Sequence, residues 1–298
     1  MTIDKGLLAR NFNRAAAHYR RHAALQQTVC DRLLERLELF RRQPTRILDL
    51  GCGTGHAWSG LRRHCPKARI IGLDLAFGML LESRRGRWWR RERLVCADAE
   101  RLPLATGSVD LVFTSLMLQW CVPPDQALTE CRRVLAPGGL LLASTLGPDT
   151  LRELRAAWAE ARRGLADGMV LDGTAFVDLH DLGDALLRVG FEGPVTDVDH
   201  LTLTYADAGA VLRDLRELGT GSALAERPRG LTGPRRLKAF AAAYERWRRP
   251  DGTLPATYEV VYAHAFAPRE GGPARTESGA PVATFPVTAL RGRRGLPR

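Results

Sequence analysis

Lysine is nearly missing from this chain: of its 44 basic residues only Lys5, Lys67 and Lys238 are lysine, and the rest are arginine. Also missing is any apolar run of about eighteen residues, so no membrane-crossing helix is expected. The N-terminal stretch places Arg10, Arg14 and Arg20 where a secretory signal would need its apolar segment, and export is not expected. The six cysteines (Cys30, Cys52, Cys65, Cys96, Cys121, Cys131) form no C-x-x-C pair and have no histidine at zinc spacing. A disulfide scaffold and a structural zinc site are therefore excluded, no metal is expected, and a reducing cytoplasm is the expected compartment. No Gly-Lys-Ser/Thr follows a glycine loop, which excludes a Walker phosphate cradle.

What is present is an ordinary globular composition, 45% hydrophobic and 26% charged over 298 residues. That length suits one large domain or two modest ones, with enough chain to bury a real core. The net charge of +11 is unevenly spread. Residues 1–46, the Arg84–Arg93 stretch and residues 271–298 together carry more than the whole excess, so the remainder is slightly acidic. Such margins permit a polyanionic partner: nucleic acid, a membrane surface or an acidic protein.

Residues 1–43 read as a helical cap, with Phe12, Ala16, Tyr19, Leu25, Val29, Leu33, Leu37 and Phe40 at three- and four-residue steps. From Pro44 the pattern alternates. Short apolar strands are expected at Arg46–Leu50, Arg69–Leu73, Arg93–Cys96, Val109–Ser115 and Leu140–Thr145. A helix at Gln126–Leu135 is closed by Ala136-Pro137-Gly138-Gly139. Further helices are expected at Leu151–Arg163 and Leu179–Val189, and strands at Val195–Tyr205 and Tyr258–Ala267. The fold class is therefore α/β, a doubly wound, mostly parallel, seven-stranded Rossmann-like sheet. The expected organisation is a cap (1–43), a core (44–205), a helical lid insertion (206–257), a closing strand (258–268) and a disordered tail (269–298). Gly86–Arg90 is expected at a surface helix end.

The richest stretch is Ile47-Leu48-Asp49-Leu50-Gly51-Cys52-Gly53-Thr54-Gly55. Glycines directly after a strand let the backbone turn tightly and approach a ligand that a Cβ would repel. His56 occupies the third glycine of a dinucleotide fingerprint, so a pyrophosphate ligand does not fit. An adenosine without pyrophosphate does. Asp74, ending the second strand, can accept from both ribose hydroxyls. Asp98, ending the third, can meet the adenine amine, and Asp49 can hold a cationic amino-acid head through water or backbone. A helix N-cap explains any one of these aspartates, but not three at successive strand ends.

The series LDLGCGTG, GLD, CADAERLPLATGSVDLVFTS and RVLAPGG resembles the class I S-adenosylmethionine-dependent methyltransferases over residues 44–146. That resemblance implies S-adenosylmethionine as methyl donor and S-adenosylhomocysteine as product. It implies Asp49, Gly51, Cys52, Gly53, Gly55, Asp74, Leu75, Met79, Asp98, Ala99 and Ser115 as cofactor-binding residues. The flanks go further. FNRAAAHY, the LQW at Leu118–Trp120, GPDTLRELRAAW, LTLTYADAGAVLRDLRELG, LPATYEVVYAHAFAP and FPVTALRGRR are similar to the BioC family, the malonyl-[acyl-carrier protein] O-methyltransferases of biotin synthesis. Arg20 stands where that family usually carries Asp, and Ser115 where many members carry Asn.

The resemblance implies methylation of a malonyl carboxylate on an acyl carrier protein, or on CoA, with no nucleic acid or membrane partner. Such a carboxyl, with an ordinary pKa of about 4, is ionised at neutral pH and needs no general base. Tyr19, Gln119 and Trp120 are the expected acceptor-side residues, with an arginine such as Arg213 orienting the carboxylate. Tyr19 could equally be a core aromatic, Trp120 lid packing, and the i,i+3 pair Arg213 and Arg216 solvated. Two further readings remain. One is a methyltransferase of a small carboxylate or quinone precursor. The other, suggested by LHDLGDALLRVGF, is a complex I assembly-type arginine hydroxylase or a non-catalytic cofactor-binding protein. The only text near an amine-methylating Asn-Pro-Pro-Tyr motif is Val122-Pro123-Pro124-Asp125.

Overall fold

The computed structural model describes residues 2–40, 43–85, 92–163, 176, 178–221, 223–225 and 232–269. The Gly86–Arg90 stretch and the tail from 270 lie outside the described residues. Seven strands form one sheet: β1 (Arg46–Leu50), β2 (Arg69–Asp74), β3 (Arg93–Cys96), β4 (Val109–Ser115), β5 (Leu135–Leu146), β6 (Glu192–Tyr205) and β7 (Leu254–Phe266). Their order is 3-2-1-4-5-7-6. Strands β3 to β5 are parallel, and β7 runs antiparallel between β5 and β6. Strand order reverses between β1 and β4, and ligands of open α/β sheets bind beyond the carboxyl ends of the strands at such a point.

Ten helices accompany the sheet among the described residues: α1 (Lys5–Ala15), α2 (Tyr19–His22), α3 (Ala24–Glu35), α4 (Ala57–His64), α5 (Phe77–Arg84), α6 (Asp125–Val134), α7 (Arg152–Arg163), α8 (Leu179–Arg188), α9 (Ala208–Glu217) and α10 (Pro234–Tyr244). The central strands are apolar on both faces because helices cover both. Leu48, Leu50, Leu73, Val112 and Leu141 face one way, onto Leu128 and Cys131 of α6 and Leu182 and Leu186 of α8. Ile47, Ile70, Leu111, Phe113 and Leu142 face the other, onto Val29 and Leu33 of α3 and Trp58 and Leu61 of α4. A separate small core joins α7, α9 and α10, where Trp158 stacks on Phe240 with centroids 4.2 Å apart.

Some boundaries differ from expectation for visible reasons. β5 starts at Leu135 because that residue already pairs with Val109 of β4. It takes in the Pro-Gly-Gly turn, where the Ala267 N–H donates to the Gly139 carbonyl (2.8 Å) and the Gly138 N–H to the Ala267 carbonyl (3.0 Å). β7 starts at Leu254 because it pairs with β6 to its last residue, Tyr205 opposite Leu254. The cap breaks into α1, α2 and α3, followed by a 3-10 turn at Arg36–Leu39. α1 lies against α5, where the Gly78 N–H donates to Asn13 Oδ1 at 2.6 Å. A Cβ at Gly78 would stand 3.2 Å from the Asn13 backbone, so glycine suits this close approach of the two helices. The cap is also tied to residues between β6 and β7. Asp4 N–H donates to the Ala223 carbonyl (2.8 Å) and Ala225 N–H to the Thr2 carbonyl (2.9 Å). His22 Nδ1 lies 3.2 Å from Asp214 Oδ1, whose other oxygen accepts from Tyr205 at 2.7 Å.

Candidate active site

A cleft of about 740 Å³, counting the solvent at its mouth, opens where β1, β2, β3 and β4 end. The loop after β1 turns through positive φ at Gly51 (+75°), Gly53 (+51°) and Gly55 (+74°). It is pinned beneath by the Leu73 carbonyl, which accepts from the Gly51 and Cys52 N–H groups at 2.8 and 3.0 Å. A Cβ on Gly51 would stand 2.6 Å from Met117 Cγ on the opposite wall. Glycine is thus required there twice over, for its conformation and for its lack of bulk.

Asp74 ends β2 on the cleft wall. Its Oδ2 accepts from the Gly53 N–H (2.9 Å) and its Oδ1 from the Ala76 N–H (2.8 Å), binding the glycine loop to the turn into α5. Burial raises its pKa, and those N–H groups oppose the rise. Asp98 also lines the cleft, and there the structure adds a residue absent from the sequence expectation. Lys5 of α1 reaches in, its Nζ 2.6 and 2.7 Å from the Asp98 oxygens and 2.5 Å from Glu100 Oε2. Burial works against that ammonium, but the bonds to the two carboxylates outweigh it and hold its pKa above the ordinary lysine value.

Asp49 is 3% exposed and does not line the cleft. It accepts from the Trp58 indole N–H at 2.8 Å, beneath the loop. Burial pushes its carboxyl up to about 7; the indole bond opposes this and the charge of Asp74 adds to it. Cys52 and Gly55 also lie outside the lining. The thiol of Cys52 turns into the core, and burial drives its pKa upward.

On the facing wall, β4 ends at Ser115 and the chain turns sharply, with Leu116 at φ +52°. The turn brings Leu116, Met117, Trp120 and Cys121 to the cleft. The cap supplies Leu8, Phe12 and Tyr19. Phe12 stands edge-on to both Trp120 (5.6 Å) and Tyr19 (6.4 Å). Burial, helped by the charge of Asp74, pushes the Tyr19 phenol well above its usual pKa, so it stays a hydrogen-bond donor at any ordinary pH.

Of the expected residues, Gly51, Gly53, Asp74, Leu75, Met79, Asp98, Ala99, Ser115, Tyr19 and Trp120 meet in this cleft. Gln119 and Arg213 do not. Gln119 turns back, donating to the Leu116 carbonyl (2.7 Å) and accepting from Thr145 (3.4 Å). Arg213 sits on the outside of α9, its side chain 67% exposed and 3.8 Å from Asp207. Of the residues sequence reasoning missed, Phe12 had a signal in FNRAAAHY. Lys5 and Leu8 had none, since nothing in α1 alone says which side meets the core. The described residues hold one trio with ligand atoms close enough for a cation, Asp149, His200 and Glu259, and none of the three lines the cleft.

The chemistry of the cleft fits an adenosine-bearing ligand. Two carboxylates, Asp74 and Asp98, line the cleft at and just beyond strand ends, beside a loop that has no Cβ at Gly51, the features expected for reading hydroxyls and an amine. Residues 48–143 match a family described as a methyltransferase domain. The backbone superposes on a Bacillus halodurans protein with a TM-score of 0.55 at 18% identity, over 79% of this chain and 98% of that one. It also superposes on the plantazolicin methyltransferase BpumL, solved with S-adenosylhomocysteine, with a TM-score of 0.50 at 14% identity, over 89% and 95%. The fold is that of the class I methyltransferases.

Two proteins, each named malonyl-[acyl-carrier protein] O-methyltransferase, are similar over nearly their whole length. That of Methylovorus sp. is 47% identical over 90% of both chains. That of Halorhodospira halophila is 47% identical over 98% of this chain and 97% of its own. The chain belongs to the malonyl-[acyl-carrier protein] O-methyltransferase family.

Proposed function

We propose that this protein transfers a methyl group from S-adenosylmethionine to the free carboxylate of a malonyl group carried on acyl carrier protein, in biotin synthesis. The observation that carries this reading is the extent of the similarity. The methyltransferase domain accounts only for residues 48–143, whereas the 47% identity runs through the cap and the residues between β6 and β7 as well. Those flanks are where an acceptor would be chosen, the helices before β1 acting as a cap and the segment between β6 and β7 as a lid.

When bound, S-adenosylmethionine supplies an electrophilic sulfonium methyl. Asp74 accepts from the ribose hydroxyls, Asp98 from the adenine amine, and the glycine loop lets the ligand lie against backbone. Asp49, behind the loop, accepts from the Trp58 indole N–H and supports the loop from beneath. Tyr19 and Trp120 form the acceptor side. Tyr19 keeps its proton and can donate it to a carboxylate oxygen, while the Phe12–Trp120–Tyr19 aromatics exclude water. No residue needs to remove a proton, because the acceptor carboxylate is already ionised. The contribution of the chain is to position the carboxylate and to provide a dry site in which opposite charges neutralise. The basic margins would steer an acidic carrier, an effect that weakens with salt. Soluble cytoplasmic action fits a chain in which no described helix is long and apolar enough to cross a membrane.

Labelled S-adenosylmethionine incubated with malonyl carrier protein, malonyl-CoA or free malonate tests the reading. A base-labile methyl ester on the carrier-bound malonyl group is expected. Absence of transfer to either malonyl thioester overturns it, and transfer to free malonate alone favours a small-carboxylate enzyme.

A further inference from the structure

Lys5 has no part in the scheme above, yet it lines the same cleft as Asp74 and Asp98. It lies at a junction of three parts of the molecule. Its ammonium is bound to Asp98 and Glu100, just beyond β3. It is the first residue of α1, whose Leu8 and Phe12 cover the cleft. Its neighbour Asp4 caps that helix by accepting from the Leu7 N–H at 2.8 Å, and gives its own N–H to Ala223. Among the described residues Lys5 is the only cationic side chain lining the cleft. The Glu100 N–H donates to Asp98 Oδ1 at 3.0 Å, so Lys5, Asp98 and Glu100 make a closed triangle of charge-assisted bonds.

We infer that Lys5 is a positioning residue that holds the cap closed over the adenine end of the cofactor and sets how fast the spent cofactor leaves. A carboxylate has about four lone-pair sites, so Asp98 can keep Lys5 on one side while accepting from the adenine amine on the other. Glu100 shares the ammonium and keeps it from displacing that amine. The side chains of Lys5, Asp98 and Glu100 are 29%, 34% and 27% exposed. The triangle is thus shielded enough to matter and wet enough to open. When it opens, α1 loses its tie to the core at its first turn, and its Leu8 and Phe12 are free to lift from the ligand.

The inference rests on the reading of the cleft as an S-adenosylmethionine site, and the test separates the two. S-adenosylhomocysteine is bound to the full-length wild type and to Lys5→Met, Lys5→Arg and Glu100→Gln. Affinity is measured by titration calorimetry and dissociation by stopped-flow tryptophan fluorescence. Lys5→Met is expected to speed dissociation about tenfold, and Glu100→Gln about threefold, as loss of a charge-assisted contact does. Lys5→Arg should restore most of the wild-type rate. Added salt should hasten dissociation from the wild type and leave Lys5→Met unmoved. An unchanged rate in Lys5→Met and Glu100→Gln overturns the inference, as does tighter binding by Lys5→Met, which would make Lys5 a competitor of adenine. Glu100→Gln decides the matter should Lys5→Met fail to fold. If the wild type does not bind S-adenosylhomocysteine, both the inference and the reading beneath it fall.

Discussion

The two walls of the cleft are built by different means. The glycine-loop wall is held by four N–H groups within the sheet framework: Gly51 and Cys52 donate to the Leu73 carbonyl, and Gly53 and Ala76 to the Asp74 carboxylate. The cap wall meets the core mainly through side chains, in Lys5 on Asp98, Asn13 on Gly78, His22 on Asp214 and three aromatic rings in T-shaped contact. Backbone ties leave few conformations, and they suit a ligand that is the same in every turnover. Side-chain ties cost less to break, and they suit a wall that must open for an acceptor and close again.

The sharpest way to break the comparison is at Gly51. Gly51→Val adds a Cβ 2.6 Å from Met117 at a φ of +75°, and S-adenosylhomocysteine binding measured by calorimetry should fall by a hundredfold or more. The next largest effect is on stability. Asp49 has its carboxyl raised to about 7, against about 3.9 unfolded. The native state therefore holds a proton that the unfolded chain has released, so the contribution of this group to stability falls as pH rises from about 4 to 7. Urea denaturation of wild type and Asp49→Asn across that window should show the wild type losing a few kcal/mol relative to the variant. A constant difference would mean that Asp49 is ionised throughout.

Asp74→Asn keeps the shape of the wall and removes the charge that accepts from the Gly53 and Ala76 N–H groups and, in the proposed function, from the ribose hydroxyls. KM for S-adenosylmethionine should rise about thirtyfold in steady-state assays, the cost of one charged hydrogen-bonding group. Tyr19→Phe, on the cap wall, keeps the ring contacts. It should raise KM for the malonyl acceptor about tenfold and leave that for S-adenosylmethionine near its wild-type value, a split that initial-rate kinetics resolve. The smallest effect is expected at Arg213, which faces solvent on α9. Arg213→Ala should keep kcat/KM within about twofold. A large loss would show that α9 turns inward when the acceptor binds.

The same division explains how much was legible in the sequence. The glycine loop and Asp74 could be read because their partners are set by strand ends and by a turn a few residues long, which the motif itself encodes. Asp49 carries that motif too, but its side chain turns beneath the loop to Trp58, nine residues on, a direction that strand periodicity alone does not give. The cap wall needed the docked structure. Nothing in MTIDKGLLAR distinguishes a solvated lysine from one reaching into a cleft, and an i,i+3 arginine pair reads the same inward or outward. Gln119 sits beside Trp120 in one motif, yet the 3-10 turn at Leu118–Trp120 sends them in opposite directions.

The pairing of Tyr205 with Leu254 has a consequence for how such proteins diversify. The long excursion between β6 and β7 leaves and re-enters the sheet at two residues already joined by the ladder, so its length is nearly free of the ladder, while it stays fastened to those strand ends by Asp214 on Tyr205 and Tyr244 on the Pro255 carbonyl. It is a socket. A different excursion could be grafted between the same two residues, changing what is methylated while leaving the sheet and the chemistry at the strand ends as they are.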